Sequence, residues 1–404
     1  MKEQILGLVR ETKDPPDKRV ALTPRQCKNL MVRHRNLSIV VQPSATRCFT
    51  DTEYTDAGIR IREDLSGCDI LMGVKEVEIN SLIPGKTYLF FSHTAKKQPY
   101  NRELLQAIVE KGIRLLDYEY LTGTDKVRVV AFGRWAGVVG AYNGLRAFGL
   151  RSGHFDLPPA SSCKDLEQLM SGLKHLDLGK IRIALTGGGR VAGGAVEILE
   201  AAGLKQVKPD EYLSRVFNSA VYTRLDPWHY TRRKDGLAFD FKHFVDQPYL
   251  YENSFLPYAR RTDMFIACHF WDPKAPVLLT RKDLMGGHVP IRIVADISCD
   301  IDGPIPSTIR ASTIAEPFYG YDPVSGKESA PFERESITVM AVDNLPGELP
   351  RDASEDFGEA LSAIVIPEIL GTTDSGMVKR ACIAEKGKLT KNYAYLQDYL
   401  EGRE

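Results

Sequence analysis

Residues 181–203, IRIALTGGGRVAGGAVEILEAAG, constrain the fold more than any other part of the chain. A β-branched apolar run enters three successive glycines, Gly187-Gly188-Gly189, and leaves through a helical pattern carrying Val196, Ile198 and Leu199. Gly187, Gly189 and Ala192 fit the spacing G-x-G-x-x-A. The first glycine permits a tight strand-to-helix turn, and the second lets a pyrophosphate approach the backbone. The small third residue lets helix and strand pack closely, with the helix N-terminus facing the phosphates. The motif is weak alone, but here a strand precedes it and a helix follows. Gly187, Gly189, Arg190, Val191 and Ala192 are therefore the candidate cofactor-binding residues.

An acid that grips the ribose 2′-hydroxyl of NAD is expected at the end of the next strand, about 20 residues on. That place holds Gln206-Val207-Lys208, and the nearest acid, Asp210, lies beyond a proline. With Lys205 and Lys208 nearby, the pattern leans toward NADP over NAD and adds Lys208 to the cofactor-binding set.

The rest of the chain alternates strand and helix signals in two blocks. The first has strand-like runs at 5–9, 37–41, 69–74, 87–91 and 113–117. Between them, TPRQCKNLMVR starts a helix with Thr23 as N-cap and Pro24 in the first position, and NRELLQAIVEKG ends one at Gly112. The second block has runs at 181–186, 205–208, 264–268, 291–298 and 337–342. Such alternation predicts α/β architecture: two Rossmann-like domains, each a mostly parallel sheet with helices on both faces and the active site in the cleft between them. The expected boundaries are 1–132 plus 343–404 for a substrate domain and 133–342 for a dinucleotide-binding domain, with an aromatic-rich insertion at about 209–262. The helix GRWAGVVGAYNGLRAFGL carries Gly137, Gly140 and Gly144, each costing about 1 kcal/mol against alanine in an exposed helix. They make sense where something packs very close to that face.

In open α/β sheets, ligands bind outside the carboxyl ends of the strands. Lys75 follows one apolar run, His93 ends a second, and Glu119 follows a third. A lysine in a partly dry cleft has its pKa lowered toward a base, and histidine titrates near neutrality. Together they could carry two proton transfers in one reaction. Arg10, Glu11 and Lys13 follow the first strand, and Arg19 and Arg128 are forks suited to substrate carboxylates. The remaining histidines are scattered and read as structural or exposed.

Lysine plus arginine and aspartate plus glutamate balance at 53 each, so nothing in the charge marks a nucleic-acid or membrane-surface binder. No run approaches the roughly 20 apolar residues of a spanning helix. The seven cysteines are widely spaced with no C-x-x-C, which argues against a zinc site or a disulfide framework. With no visible secretory signal, a cytoplasmic location is expected.

Taken together, RETKDPPDKRVALTP, LMGVKEVE, FFSHTAKKQ, LLDYEYL, VVAFGRWAGVVGAYNGLRAFGL, TGGGRVAGGAVEIL, TDMFIACHFWDPKAP and VDNLPGELPRDASEDFG resemble lysine–ketoglutarate reductase, or saccharopine dehydrogenase (lysine-forming). The wider superfamily includes alanine dehydrogenase and the transhydrogenase NAD-binding subunit. The likeness runs from about residue 4 to residue 370 and is closest to the reductase half of the bifunctional lysine-degrading enzyme.

The resemblance implies an NAD(P)-dependent oxidoreductase interconverting saccharopine with lysine and 2-oxoglutarate, with no metal and no nucleic-acid or membrane partner; a homo-oligomer fits this group. It implies Lys75 and His93 as acid–base groups, with Glu76 and Glu119 as supporting acids. Arg19, Arg128, Lys13 and Phe132 fall on substrate-binding positions, and Lys96 and Asp343 on positions that pair near the cofactor. VDNLPGELPRDAS and FGRWAG separate this group from alanine dehydrogenase, which shares the lysine and the histidine. An alanine dehydrogenase-like or other opine-forming enzyme is the alternative, and a non-catalytic NAD(P)-binding subunit a more distant one. The glycine loop, Arg190-Val191-Ala192-Gly193, blends the fungal and reductase versions. No second dehydrogenase module is expected in this chain, so further oxidation of saccharopine would fall to another protein.

Overall fold

Each sequence block closes into its own sheet. A computed structural model describes residues 3–403. The chain divides into one unit that runs to Phe132 and resumes at Pro350, and a second, Gly133–Leu349.

The first unit contains β1 (Gln4–Leu8), β2 (Leu37–Val41), β3 (Arg60–Ile61), β4 (Ile70–Met72), β5 (Thr87–Phe90) and β6 (Arg114–Asp117). They lie side by side in the order β6-β5-β4-β1-β2-β3, all parallel. Strand order reverses between β1 and β4, so the loops leaving these two strands diverge and open a crevice at their carboxyl ends. The first helix, Pro24–Arg33, starts as its sequence dictates. Thr23 and Gln26 form a reciprocal capping box, and proline, whose missing N–H would have no helical partner there, takes the first turn. Leu71, Leu89, Leu105, Leu115 and Leu116 are fully buried in the core, each contributing about 1.5–3 kcal/mol of apolar burial.

The second unit contains β7 (Arg182–Thr186), β8 (Lys205–Gln206), β9 (Val221–Leu225), β12 (Met264–Ala267), β13 (Ile293–Asp296), β14 (Phe318–Asp322), β15 (Lys327–Ser329) and β16 (Ile337–Met340). A separate antiparallel hairpin pairs β10 (Thr231–Arg233) with β11 (Tyr251–Asn253). The main sheet runs β15-β14-β16-β13-β12-β7-β9-β8, parallel from β16 to β8. The neighbour of β7 is thus β9, whereas the expected neighbour, the 205–208 run, forms the outer edge as β8. The segment read as an insertion from residue 209 supplies this inner strand, and only its later part builds the hairpin.

The glycines of the Gly133–Ser152 helix have the close neighbours their cost demanded. A Cβ on Gly137 would stand 1.9 Å from the Val191 carbonyl oxygen, and one on Gly194 would stand 2.0 Å from that of Arg134. The two helices therefore touch backbone to backbone. Gly140 and Gly144 rest on Ile297 and Ala295.

After Pro350 the chain forms a helix, Pro350–Ala360, and then β17 (Cys382–Glu385) and β18 (Lys388–Leu389). β17 extends the first unit's sheet antiparallel to β6, and β18 pairs antiparallel with β17, making eight strands in all. Among the described residues no helix is long and apolar enough to cross a membrane.

Candidate active site

Because β1, β4, β5 and β6 are neighbours, their carboxyl ends bring Glu11, Lys75, His93 and Glu119 to one rim. Two carboxylates fix the loops that carry these groups. Glu11, just past β1, accepts the backbone N–H of Val74 at 2.6 Å and of Lys75 at 2.9 Å. Asp117, fully buried at the end of β6, accepts from Ser92 N at 3.0 Å, Ser92 Oγ at 2.5 Å and Glu119 N at 2.7 Å. One acid thus sets the Lys75 turn, and the other sets both the His93 and Glu119 turns. The sequence reading mentioned Glu11 only in passing and missed Asp117; an acid placed at a strand end was the available signal for both.

Around this frame the charged groups pair. His93 Nδ1 lies 2.5 Å from Glu76 Oε1. A carboxylate can only accept, so Nδ1 carries the proton and Nε2 is left for proton exchange. Lys13 Nζ approaches the other oxygen of Glu76 at 3.3 Å. Burial raises the Glu76 carboxyl, but the His93 hydrogen bond, its own backbone and the charges of His93 and Lys13 outweigh it and hold it at about 2. Lys75 is part-buried, and desolvation, followed by the neighbouring Arg19 guanidinium, pulls its ammonium below the ordinary lysine value. Glu119 bridges Arg128 at 2.9 Å and Lys96 at 3.2 Å.

His93 has a left-handed backbone, φ 51°. Non-glycine residues rarely pay for that conformation unless the surroundings fix it, and such strain concentrates at functional sites. Its ring stacks on Phe91, with centroids 6.3 Å apart and planes 17° apart. Phe91 belongs to an aromatic group with Tyr118, Phe132 and Phe357, where Phe132 stacks on Phe357 at 4.4 Å.

Arg19 is buried and already engaged. Its Nε and Nη2 donate to Asp17 at 3.0 and 2.6 Å, and its guanidinium lies 4.2 Å over the Phe132 ring. The Asp17 carboxyl is held well below the usual range, because the Arg19 charge and hydrogen bonds overcome its burial. Phe132 therefore orients Arg19, an arrangement invisible in sequence because the two are far apart in the chain.

In the second unit, Gly187 takes φ 108° at the end of β7, and a Cβ there would meet the Cys268 carbonyl oxygen at 2.7 Å. No heavy atom lies within 4 Å of where a Gly189 Cβ would stand. Gly188, Gly189 and Arg190 are exposed, Ala192 is buried, and the helix Arg190–Ala201 starts immediately after Gly189. An open cradle in front of a helix N-terminus with no side-chain cap fits a pyrophosphate. The Val191 backbone carbonyl faces Gly137, 1.9 Å from where a Cβ would stand there.

An acid beside the glycine turn is Asp226. It follows β9, the strand beside β7, and its Oδ1 would lie 2.6 Å from a Cβ on Gly188. Lys208 follows the outer strand β8, two strands from the glycine turn. β8 and its following helix, Pro209–Ser214, place Asp226 further along the chain than the stretch around residue 208. Asp343 is exposed and is among the acids whose charge acts on the Cys299 thiol.

Residues 7–139 match the family model "Alanine dehydrogenase/PNT, N-terminal domain". Solved structures of the same fold include L-alanine dehydrogenase, with TM-score 0.67 and 15% identity over 99% of both chains. The transhydrogenase from Sinorhizobium meliloti matches at TM-score 0.60 and 16% identity, over 95% of this chain and 98% of that one. The chain therefore shares the two-domain α/β fold of these structures, and its residues 7–139 match the alanine dehydrogenase/PNT N-terminal domain. Among curated proteins, the chain is similar to saccharopine dehydrogenases (lysine-forming) and alpha-aminoadipic semialdehyde synthases. It is 33% identical to the mitochondrial alpha-aminoadipic semialdehyde synthase of Bos taurus, over 99% of this chain and 48% of that protein. It is 28% identical to saccharopine dehydrogenase [NAD(+), L-lysine-forming] of Neurospora crassa, over 93% of this chain and 92% of that one. The chain thus spans about half the length of the synthases it matches.

Proposed function

We propose that this chain interconverts saccharopine with L-lysine and 2-oxoglutarate, using a nicotinamide cofactor held at the Gly187–Ala192 turn. The observation that carries the reading is the Lys75, Glu76 and His93 group at the carboxyl ends of β4 and β5, in a chain whose relatives bear the names given above. The bound cofactor supplies the hydride equivalent that reduces the imine between the two substrates.

The side chains of this chain do the rest. Imine formation needs a neutral attacking amine and a proton for the departing oxygen. Lys75, with its ammonium disfavoured by burial and by Arg19, is suited to accept a proton from the amine or the carbinolamine. His93, steadied by Glu76, is suited to donate one through Nε2 to the oxygen leaving as water. Arg128 and the Asp17-held Arg19 offer fixed positive charge for substrate carboxylates. Lys13, paired with Glu76, keeps that carboxylate compensated when the histidine gives up its proton, and Lys96 pairs with Glu119. Asp343 and Lys96 remain proposed partners near the cofactor.

Asp226 favours NAD. A carboxylate against the glycine turn accepts a hydrogen bond from a ribose 2′-hydroxyl and repels a 2′-phosphate. The deciding assay follows consumption of reduced cofactor with lysine and 2-oxoglutarate, then with pyruvate or other amines in their place. Turnover specific to lysine and 2-oxoglutarate supports the reading. No consumption above background with either cofactor rejects it.

A further inference from the structure

We propose that Glu11 is a positioning residue that sets the place and reactivity of the Lys75 amine by completing, with its side chain, a ladder the backbone leaves unfinished. The inference rests on the reading of Lys75 as a proton-transfer group. The parallel ladder between β1 and β4 ends with Val9 N donating to Met72 O at 2.9 Å. Past that point the N–H groups of Val74 and Lys75 donate to a side chain instead. The Glu11 carboxylate takes over, one oxygen for each N–H. On the other side, Val74 O accepts from Phe91 N at 3.0 Å, which ties the same turn to the strand that leads into His93. The Lys75 turn is therefore held from both flanks, by a side chain on one and by backbone on the other.

The fit leaves little slack. Gly73 sits under the carboxylate, and a Cβ there would lie 2.9 Å from Val9 Cγ2 and 3.3 Å from Glu11 Oε1. Burial pushes the Glu11 carboxyl up to about 7 against the Val74 and Lys75 hydrogen bonds, the Asp17 and Arg19 charges act after these, and Glu11 acts on the buried Tyr118 hydroxyl. Glu11 itself is not among the main charges acting on the Lys75 amine, which are Arg19, Asp17, Lys13 and Glu76. Its influence on Lys75 is accordingly one of place.

The test compares wild type, Glu11→Gln and Glu11→Asp. Glutamine offers one acceptor and turns an NH2 toward the other backbone N–H, whereas aspartate keeps both acceptors on a shorter stem. The first readout is acetylation of Lys75 by acetic anhydride, relative to Lys96, in protein without substrates and mapped by peptide mass. Glu11→Gln is expected to change the Lys75 to Lys96 ratio at least about threefold. Its kcat is expected to fall about 30-fold with the cofactor KM unchanged, the scale of a small displacement of a reacting group, with Glu11→Asp intermediate. A lower unfolding temperature with an unchanged labelling ratio and kcat within about twofold of wild type would show a merely structural role and overturn the proposal. Should Glu11→Gln not fold, the same criteria applied to Glu11→Asp decide. Labelling needs no turnover, so a wild type inactive toward saccharopine chemistry would refute the proposed reaction without touching this result.

Discussion

His93 Nδ1 and Glu76 Oε1 lie 2.5 Å apart, joining the loop that leaves β5 to the loop that leaves β4. The contact fixes one tautomer of the ring while the left-handed backbone at His93 aims it. Lys75 is the residue immediately before Glu76, so one short turn carries both the amine and the partner of the imidazole.

Asp226 leads to a prediction about the cofactor. Asp226→Asn removes the charge that opposes a 2′-phosphate while leaving a polar side chain against Gly188. The ratio of kcat/KM for NADP over NAD is expected to rise about 10-fold or more, as expected when an unfavourable charge contact is relieved. Steady-state kinetics with both cofactors measures it. An unchanged ratio would show that Asp226 does not meet the ribose.

Packing of the two glycine-rich helices predicts a stability effect away from the proposed chemistry. Gly137→Ala would force the Gly133–Ser152 helix off the Val191 carbonyl and is expected to cost about 3 kcal/mol, the upper part of the usual range for overpacking. Gly193→Ala, where a Cβ meets nothing within 4 Å, is expected to be neutral or slightly stabilising. Urea unfolding of the two variants provides the comparison, and equal stability would contradict the close approach.

Buried Glu348 predicts part of the pH dependence of stability. Its carboxylate accepts from Asn143 Nδ2 at 2.8 Å, yet burial pushes the group up from 4.5 to about 7. Between those values the folded protein holds a proton that the unfolded chain has released. Stability therefore falls as pH rises through this window, by up to roughly 3 kcal/mol from this group alone. Glu348→Gln is expected to gain on wild type by about 1–3 kcal/mol between about pH 5 and about pH 8 in urea unfolding. Parallel pH profiles for the two proteins would contradict this.

Much of this architecture was legible in the sequence because the signals were local. Thr23 and Pro24 announced a helix start, the Gly187 turn announced strand then helix, and apolar runs ending in Lys75 and His93 announced a rim. The strand order was not legible, since it depends on which strand wins the place beside β7. Val221–Leu225 lay hidden in a segment whose aromatics and charges looked like insertion, so Asp226 at its end was not considered beside the glycine turn. The parts that depend on pairing across the fold, Glu11 under Lys75, Asp117 under Ser92 and Phe132 over Arg19, had no sequence spacing to reveal them. The small-residue face of the 133–152 helix was legible as a demand for a close neighbour, though not as a demand met by Val191.

The central claim is that Lys75 and His93 move the protons of saccharopine interconversion. It is tested most directly by kcat for wild type, Lys75→Met and His93→Gln with lysine, 2-oxoglutarate and reduced cofactor, each at its own optimum pH. The account predicts wild-type turnover and a loss of about 100-fold or more in each variant, the usual contribution of a positioned acid or base. Variants that turn over within about twofold of an active wild type would contradict it.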